Sequence, residues 1–249
     1  VSGHSKWATT KHQKAAKDKA RGKLFAKLIR QVEVAAREGG GDVNTNATLR
    51  TMFQKARDAS VPLDTLERAI KRGTGELEGV RYEAISYEGY APGGVAIIVE
   101  CLSDNRNRTG SEVRTVFSRN GGSMAEPGAV SWQFERKGVI SVARSVPEDD
   151  VMAAALEAGA EDVRDDGEEW TVITAPSDLQ AVREALEAGN VPFSSAELTM
   201  IPTTTVEVDD EQTARKILHL MDLLDEHDDV QNVYSNFDIP DAILEKVEA

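Results

Sequence analysis

YEAISYEGYAPGGVAIIVECL, from Tyr82 to Leu102, is where the chain changes period. Before it, apolar side chains recur every three to four positions, the spacing of one helix face. Within it, Tyr82–Tyr90 alternates partly, Ala91-Pro92-Gly93-Gly94 reads as a turn, and Val95–Leu102 is an apolar run of buried-strand length. Helices followed by a hairpin make the class α+β.

Upstream of this switch, residues 1–75 read as helical. Leu24, Phe25, Leu28, Val32 and Ala35 fall on one side of a long first helix, which Gly39-Gly40-Gly41-Asp42 ends. Leu49, Met52, Phe53 and Ala56 mark a second helix with Asn46 as its cap. Pro62 opens a third, with Leu63, Leu66 and Ile70 expected to face inward, and Gly73-Thr74-Gly75 stops it.

Downstream, Asp104-Asn105-Arg106-Asn107-Arg108-Thr109 reads as a polar loop entering a helix, which Asn120-Gly121-Gly122 ends; Val130–Phe134 reads as a strand. Residues 138–200 follow a β-α-β-β-α-β order, the ferredoxin-like pattern. The remaining strands and the helix Asp210–Leu224 lack a home unless they complete the sheet begun at Tyr82. The expected architecture is therefore α+β with three domains. Residues 1–79 form a basic helical bundle. Residues 80–137 plus 201–249 form a discontinuous α/β domain, and 138–200 a second one inserted in it, both of ferredoxin-like type.

Charge divides the chain in the same place. Residues 1–75 hold 16 Lys and Arg against 7 Asp and Glu, whereas the other 174 hold 13 against 36. The whole-chain net charge of −14 hides a basic head on an acidic body. Lys19, Lys23, Lys27, Arg30 and Arg37 recur so that a helix gathers them on one stripe, with Arg21 beside it. Ahead lie Lys6, Lys11, Lys14 and Lys17, with Trp7 and His12 interleaved. Such a face either meets phosphates or is simply solvated; an acidic body repelled by nucleic acid would present this head first. In the body, Arg106 and Arg108 with Asn105 and Asn107 suit phosphate or base edges, or else pair with carboxylates such as Asp104 and Glu112.

Enzyme signatures are missing. The sequence holds no GxGxxG, GxxxxGK[ST] or GxSxG, and its four histidines have no metal-ligand spacing. Cys101 is the sole cysteine, so an intrachain disulfide is impossible. No apolar run approaches the roughly 20 residues of a membrane span, and the first residues lack a signal-peptide core. A non-enzymatic protein of the cytoplasm is expected, without metal, cofactor or membrane partner.

Several motifs resemble the YebC/PmpR family: Gly3-His4-Ser5-Lys6-Trp7, Arg21-Gly22-Lys23-Leu24-Phe25, Arg68-Ala69-Ile70-Lys71-Arg72-Gly73, Tyr87 to Ala96, Asp104 to Thr109, and Phe134 to Gly138. Thr10, Gln31 and Ala47 depart from its usual residues. The resemblance implies a three-domain protein that regulates gene expression without catalysis. Bacterial members are labelled DNA-binding transcriptional regulators; others, including the mitochondrial translational activator of cytochrome oxidase subunit I, act through the ribosome. No helix-turn-helix signature is present, and the stripe lacks the Asn/Gln set of a recognition helix. That favours structured or ribosomal RNA as partner. A DNA-binding regulator, and an interaction module acting through the acidic body, remain as alternatives.

Overall fold

The computed structural model describes residues 18–248 and the side chains of 22–247. The chain divides into two compact units, one spanning Phe134–Thr203 and the other holding the segments on either side of it.

In the larger unit the helical head comprises α1 (Asp18–Gly39), α2 (Ala47–Asp58) and α3 (Leu63–Thr74). Their shared core contains Leu28, Val32, Ala35, Leu49, Ala56, Leu66 and Ala69, with Leu24 and Phe25 packed at its edge. Gly22 does not interrupt α1, which runs on for 22 residues. Asn46 joins two helix ends with one side chain. Its Oδ1 accepts from Leu49 N at the start of α2, while its Nδ2 donates to Ala35 O and Gly40 O at the end of α1. Leu63 is not inward: it is 46 % exposed, and Ala69 and Gly73 complete the buried stripe instead.

Gly73 marks where α3 crosses α1. A Cβ there would stand 2.3 Å from Glu33 O and 2.8 Å from Ala36 Cβ. Both neighbours belong to a packed helix, so neither can move away locally. Gly73→Ala is therefore expected to destabilise the head by about 3 kcal/mol, read as a lower denaturation midpoint.

The rest of this unit is an antiparallel sheet of β1 (Glu83–Tyr90), β2 (Ala96–Ser103), β3 (Ser123–Ala125) and β9 (Val230–Ser235), in the order β3-β1-β2-β9. Helices α4 (Arg106–Arg119) and α7 (Glu211–Asp225) cover one face. Val113 and Phe117 of α4 and Ile217, Leu220, Met221 and Leu224 of α7 meet Ile97, Val99 and Cys101 there. The Cys101 thiol, 2 % exposed, is pushed up to about 12 by burial, with Asp229 and Glu100 adding to the effect; it is a core residue. Two layers of sheet and helix are present as expected, but the strands connect as β-β-α-β followed, after the inserted unit, by α-β.

Residues 130–134 are not one strand. The Glu88 carboxylate accepts from the N–H groups of Gly128, Val130 and Ser131, taking the amides a ladder would need. A single 3₁₀ turn, Ser131–Gln133, follows. Burial alone would raise the pKa of Glu88, but these donors outweigh it and hold it below the ordinary value.

In the Phe134–Thr203 unit, β4 (Phe134–Ala143), α5 (Glu148–Glu157), β5 (Ala160–Asp165), β6 (Glu169–Thr174), α6 (Leu179–Ala188) and β7 (Phe193–Pro202) follow the ferredoxin-like order. The sheet reads β5-β6-β4-β7, all pairs antiparallel. Ile140, Val142, Trp170 and Val172 meet Val151, Ala155, Val182 and Leu186 in its core. The chain closes with a two-residue parallel pair, β8 (Val206–Glu207) with β10 (Phe237–Asp238), and α8 (Asp241–Glu248). Among the described residues, no helix is long and apolar enough to cross a membrane.

Candidate nucleic-acid interface

The basic stripe of α1 meets the acidic body of its own chain. Lys23 Nζ donates to Glu226 O at 3.0 Å and lies 3.7 Å from the Asp228 carboxylate. Lys27 Nζ donates to Asp225 O at 2.8 Å and pairs with its carboxylate at 3.3 Å. Arg30 reaches Leu102 O at 2.8 Å and Asp229 Oδ1 at 3.1 Å, with its guanidinium 4.5 Å from the centroid of the Tyr82 ring. The physical reason is the direction of α7. Its C-terminal end carries unpaired carbonyls and the negative pole of the helix dipole, reinforced by Asp225, Glu226, Asp228 and Asp229. Cations on α1 complete that end.

This corrects the expectation that one face of α1 packs inward while the opposite, basic face stays open for phosphates. Lys27 is 13 % exposed and Arg30 18 %, and both are held by the body. Lys23, 45 % exposed, is held more loosely. Arg37 turns to Glu33 and Val80 O instead. Periodicity places residues on a stripe without saying what the stripe touches.

Asp229 is the centre of the contact. Buried to 8 % side-chain exposure, it accepts from Arg30 on one oxygen and, on the other, from Arg108 at 2.7 Å and the Thr109 hydroxyl at 2.6 Å. Burial alone would raise its pKa, but Thr109, Arg108 and Arg30 together hold it below the ordinary aspartate value. Arg108 also bonds Asp104 at 2.9 Å, so the carboxylate-pairing reading is the one that holds for Arg108. Nor do Arg106 and Arg108 lie in a loop: both sit in the first turn of α4, whose Asn105 cap accepts from Arg108 N. Arg106 is exposed and has no ion pair among the described residues.

Lys6, Trp7, Lys11, His12, Lys14 and Lys17 lie outside the described residues. Lys19 and Arg21 belong to the first turns of α1, with their side chains outside the description. Exposed Lys71, in the last turn of α3, and exposed Arg81, between α3 and β1, carry no ion pair among the described residues. Both lie off the stripe of α1 that the charge periodicity marks. Among the described residues no group of three or more His, Cys, Asp or Glu is placed to hold a metal ion.

Comparison with known proteins covers nearly the whole chain. Residues 5–76 match the model of the TACO1/YebC protein N-terminal domain, and residues 82–237 that of the TACO1/YebC second and third domain. A protein of Thermobifida fusca is 59 % identical over 99 % of this chain and 100 % of its own length. One of Halothermothrix orenii is 56 % identical over 99 % of each chain. Both bear the name "Probable transcriptional regulatory protein". The crystal structure of the conserved hypothetical protein Aq1575 from Aquifex aeolicus is similar with a TM-score of 0.82 and 49 % identity, over 90 % of this chain and 93 % of that one. With both domain families matched in order and relatives more than half identical from end to end, this chain belongs to the TACO1/YebC family.

Proposed function

We propose that this protein is a non-enzymatic regulator of gene expression that binds nucleic acid through its N-terminal segment, Lys6, Lys11, Lys14, Lys17, Lys19 and Arg21. Trp7 and His12 stack on exposed bases there. The observation that carries this reading is the charge composition of that segment. Lys23, Lys27 and Arg30 are engaged by the body, while the first 21 residues hold six Lys and Arg against a single Asp. Lys71, Arg81 and Arg106 supply further phosphate contacts. Structured RNA on the ribosome is the target this reading favours, since a cation-rich segment without a base-reading helix suits shape and phosphate recognition. The names of the relatives favour a second reading, transcriptional regulation on DNA.

A salt-titrated competition separates the two. Labelled full-length protein is offered purified ribosomes, large-subunit RNA and promoter-containing duplex in one buffer. Retention on ribosomes or RNA at about 0.15 M salt, where the Debye length is near 8 Å, is expected. A preference for one duplex over its scrambled version by about 10³-fold or more would instead establish the transcriptional reading.

A further inference from the structure

Where the turn Pro92–Gly94, the C-terminal end of α4 and the exposed side of α7 meet, there is a cleft of about 410 Å³. Pro92, Arg119, Asn120, Gly121, Lys216 and His219 line it, with no carboxylate among them. That composition is unusual for this body, where acidic residues outnumber basic ones nearly threefold. On the same two helices Arg108 bonds Asp229 and Asp104, and Arg215 bonds Glu211, whereas Arg106 and Arg114 have no ion pair among the described residues. Arg119, Lys216 and His219 have no ion pair among the described residues. Arg119 and Lys216 carry like charges into the cleft, Asp210 acting on Lys216 from outside its lining, and an anion in the cleft relieves their repulsion.

The surrounding backbone keeps the cleft clear. Gly93, Gly94 and Gly121 all have positive φ, so these turns are built from residues without side chains. A Cβ on Gly121 would lie 3.4 Å from Pro92 Cγ, at the wall of the cleft. The carbonyl end of α4 does not undo the positive character. Val116 O accepts from Asn120 Nδ2, and Phe117 O accepts from the N–H groups of Asn120 and Gly122.

We propose that this cleft binds a phosphate group, with the Arg119 guanidinium as a forked donor, Lys216 as a point charge and the His219 ring as a further polar contact. Its volume falls in the range of small-ligand sites. The phosphate is either that of a free small molecule or one unit of a strand. The proposal stands on the Pro92–Gly94 turn, the end of α4 and α7, and does not depend on the N-terminal segment.

The test is backbone-amide NMR on the full-length protein, titrated separately with inorganic phosphate, AMP and a short single-stranded oligoribonucleotide. Saturable shifts at residues 92–94, 119–122 and 216–219 are expected. The double variant Arg119→Gln, Lys216→Gln alters two exposed side chains and is expected to weaken binding about ten-fold or more with an unchanged melting curve. Lys11→Glu is expected to leave phosphate binding at the cleft unchanged. Cleft shifts with AMP assign a free phosphomonoester, and cleft shifts with the oligoribonucleotide alone assign a strand phosphate; both support the site. An absence of cleft shifts with all three probes, or affinities unchanged in the double variant, overturns it. Cleft binding of phosphate or AMP in a protein that fails to bind RNA or DNA would sink the proposed function and leave this site standing.

Discussion

Replacing Lys11, Lys14 and Lys17 together by glutamine is expected to weaken RNA binding on the order of 10²-fold near 0.15 M salt. Each phosphate contact that releases a counterion adds about 0.7 to 0.9 to the slope of log affinity against log salt, so three lost contacts remove roughly 2 to 3 from that slope. The same series at high salt should converge on the parent protein, because only the electrostatic part has been removed. Lys27→Gln makes the informative contrast. Its ammonium already lies against Asp225, so the variant should lower thermal stability while the salt slope stays near that of the parent. A triple variant without effect on affinity or slope would refute the N-terminal binding reading. Reversing Lys19, Lys23 and Lys27 together is a poor test by comparison, since Lys23 and Lys27 hold the head to the body.

Asp229→Ala is expected to cost the larger unit about 3 kcal/mol, because removing one partner of a buried ion pair leaves Arg30 without a counter-charge, while Arg108 keeps Asp104. Arg30 would keep the carbonyls of Leu102 and Asp228 and the Tyr82 ring, and the buried Thr109 hydroxyl would keep Ser103 and Asn105. The value sits at the low end of the range for such losses, since Arg108 is 42 % exposed and can turn to water. A chemical denaturation curve reads the change, with a fall of about 3 kcal/mol expected and one below about 1 kcal/mol contradicting the central role of Asp229.

Acid should act through the same carboxylate. The folded-state pKa of Asp229 is depressed, so its contribution is fully present above the unfolded value of about 4 and is lost as pH falls through the folded value. Glu88, also depressed, adds to the same limb. Stability of the parent should therefore decline below about pH 4, and Asp229→Asn should flatten that decline. An equally steep acid limb in the variant would assign the effect to other carboxylates.

Periodicity and turn chemistry are local properties, and whatever depended on them alone could be read from the chain. Leu28, Val32 and Ala35 do form the inner face of α1, and Asn46 does cap the helix that follows it. The inserted β-α-β-β-α-β unit was legible for the same reason, its helices being amphipathic and its strands bounded by turn residues. Leu63 was misread because periodicity cannot tell which turn of a helix lies within reach of its neighbours. The single turn at Ser131–Gln133 was hidden because the carboxylate that creates it comes from Glu88, forty or so residues upstream.

Charge shows the boundary most sharply. Composition alone separates a basic head from an acidic body, and motifs alone identify the family. Which cations remain available to a ligand is a different matter, because an ion pair needs two groups within a few ångströms and sequence gives no such distance. Lys27 meets Asp225 across 198 residues, Arg30 meets Asp229 across 199, and Arg108 meets the same carboxylate across 121. Only the tertiary structure brings those partners together, and it does so at the negative end of α7, where the unpaired carbonyls of a helix terminus require cations. Arg119, Lys216 and His219 become neighbours by the same folding, with the opposite outcome: three basic groups gathered and no carboxylate among them.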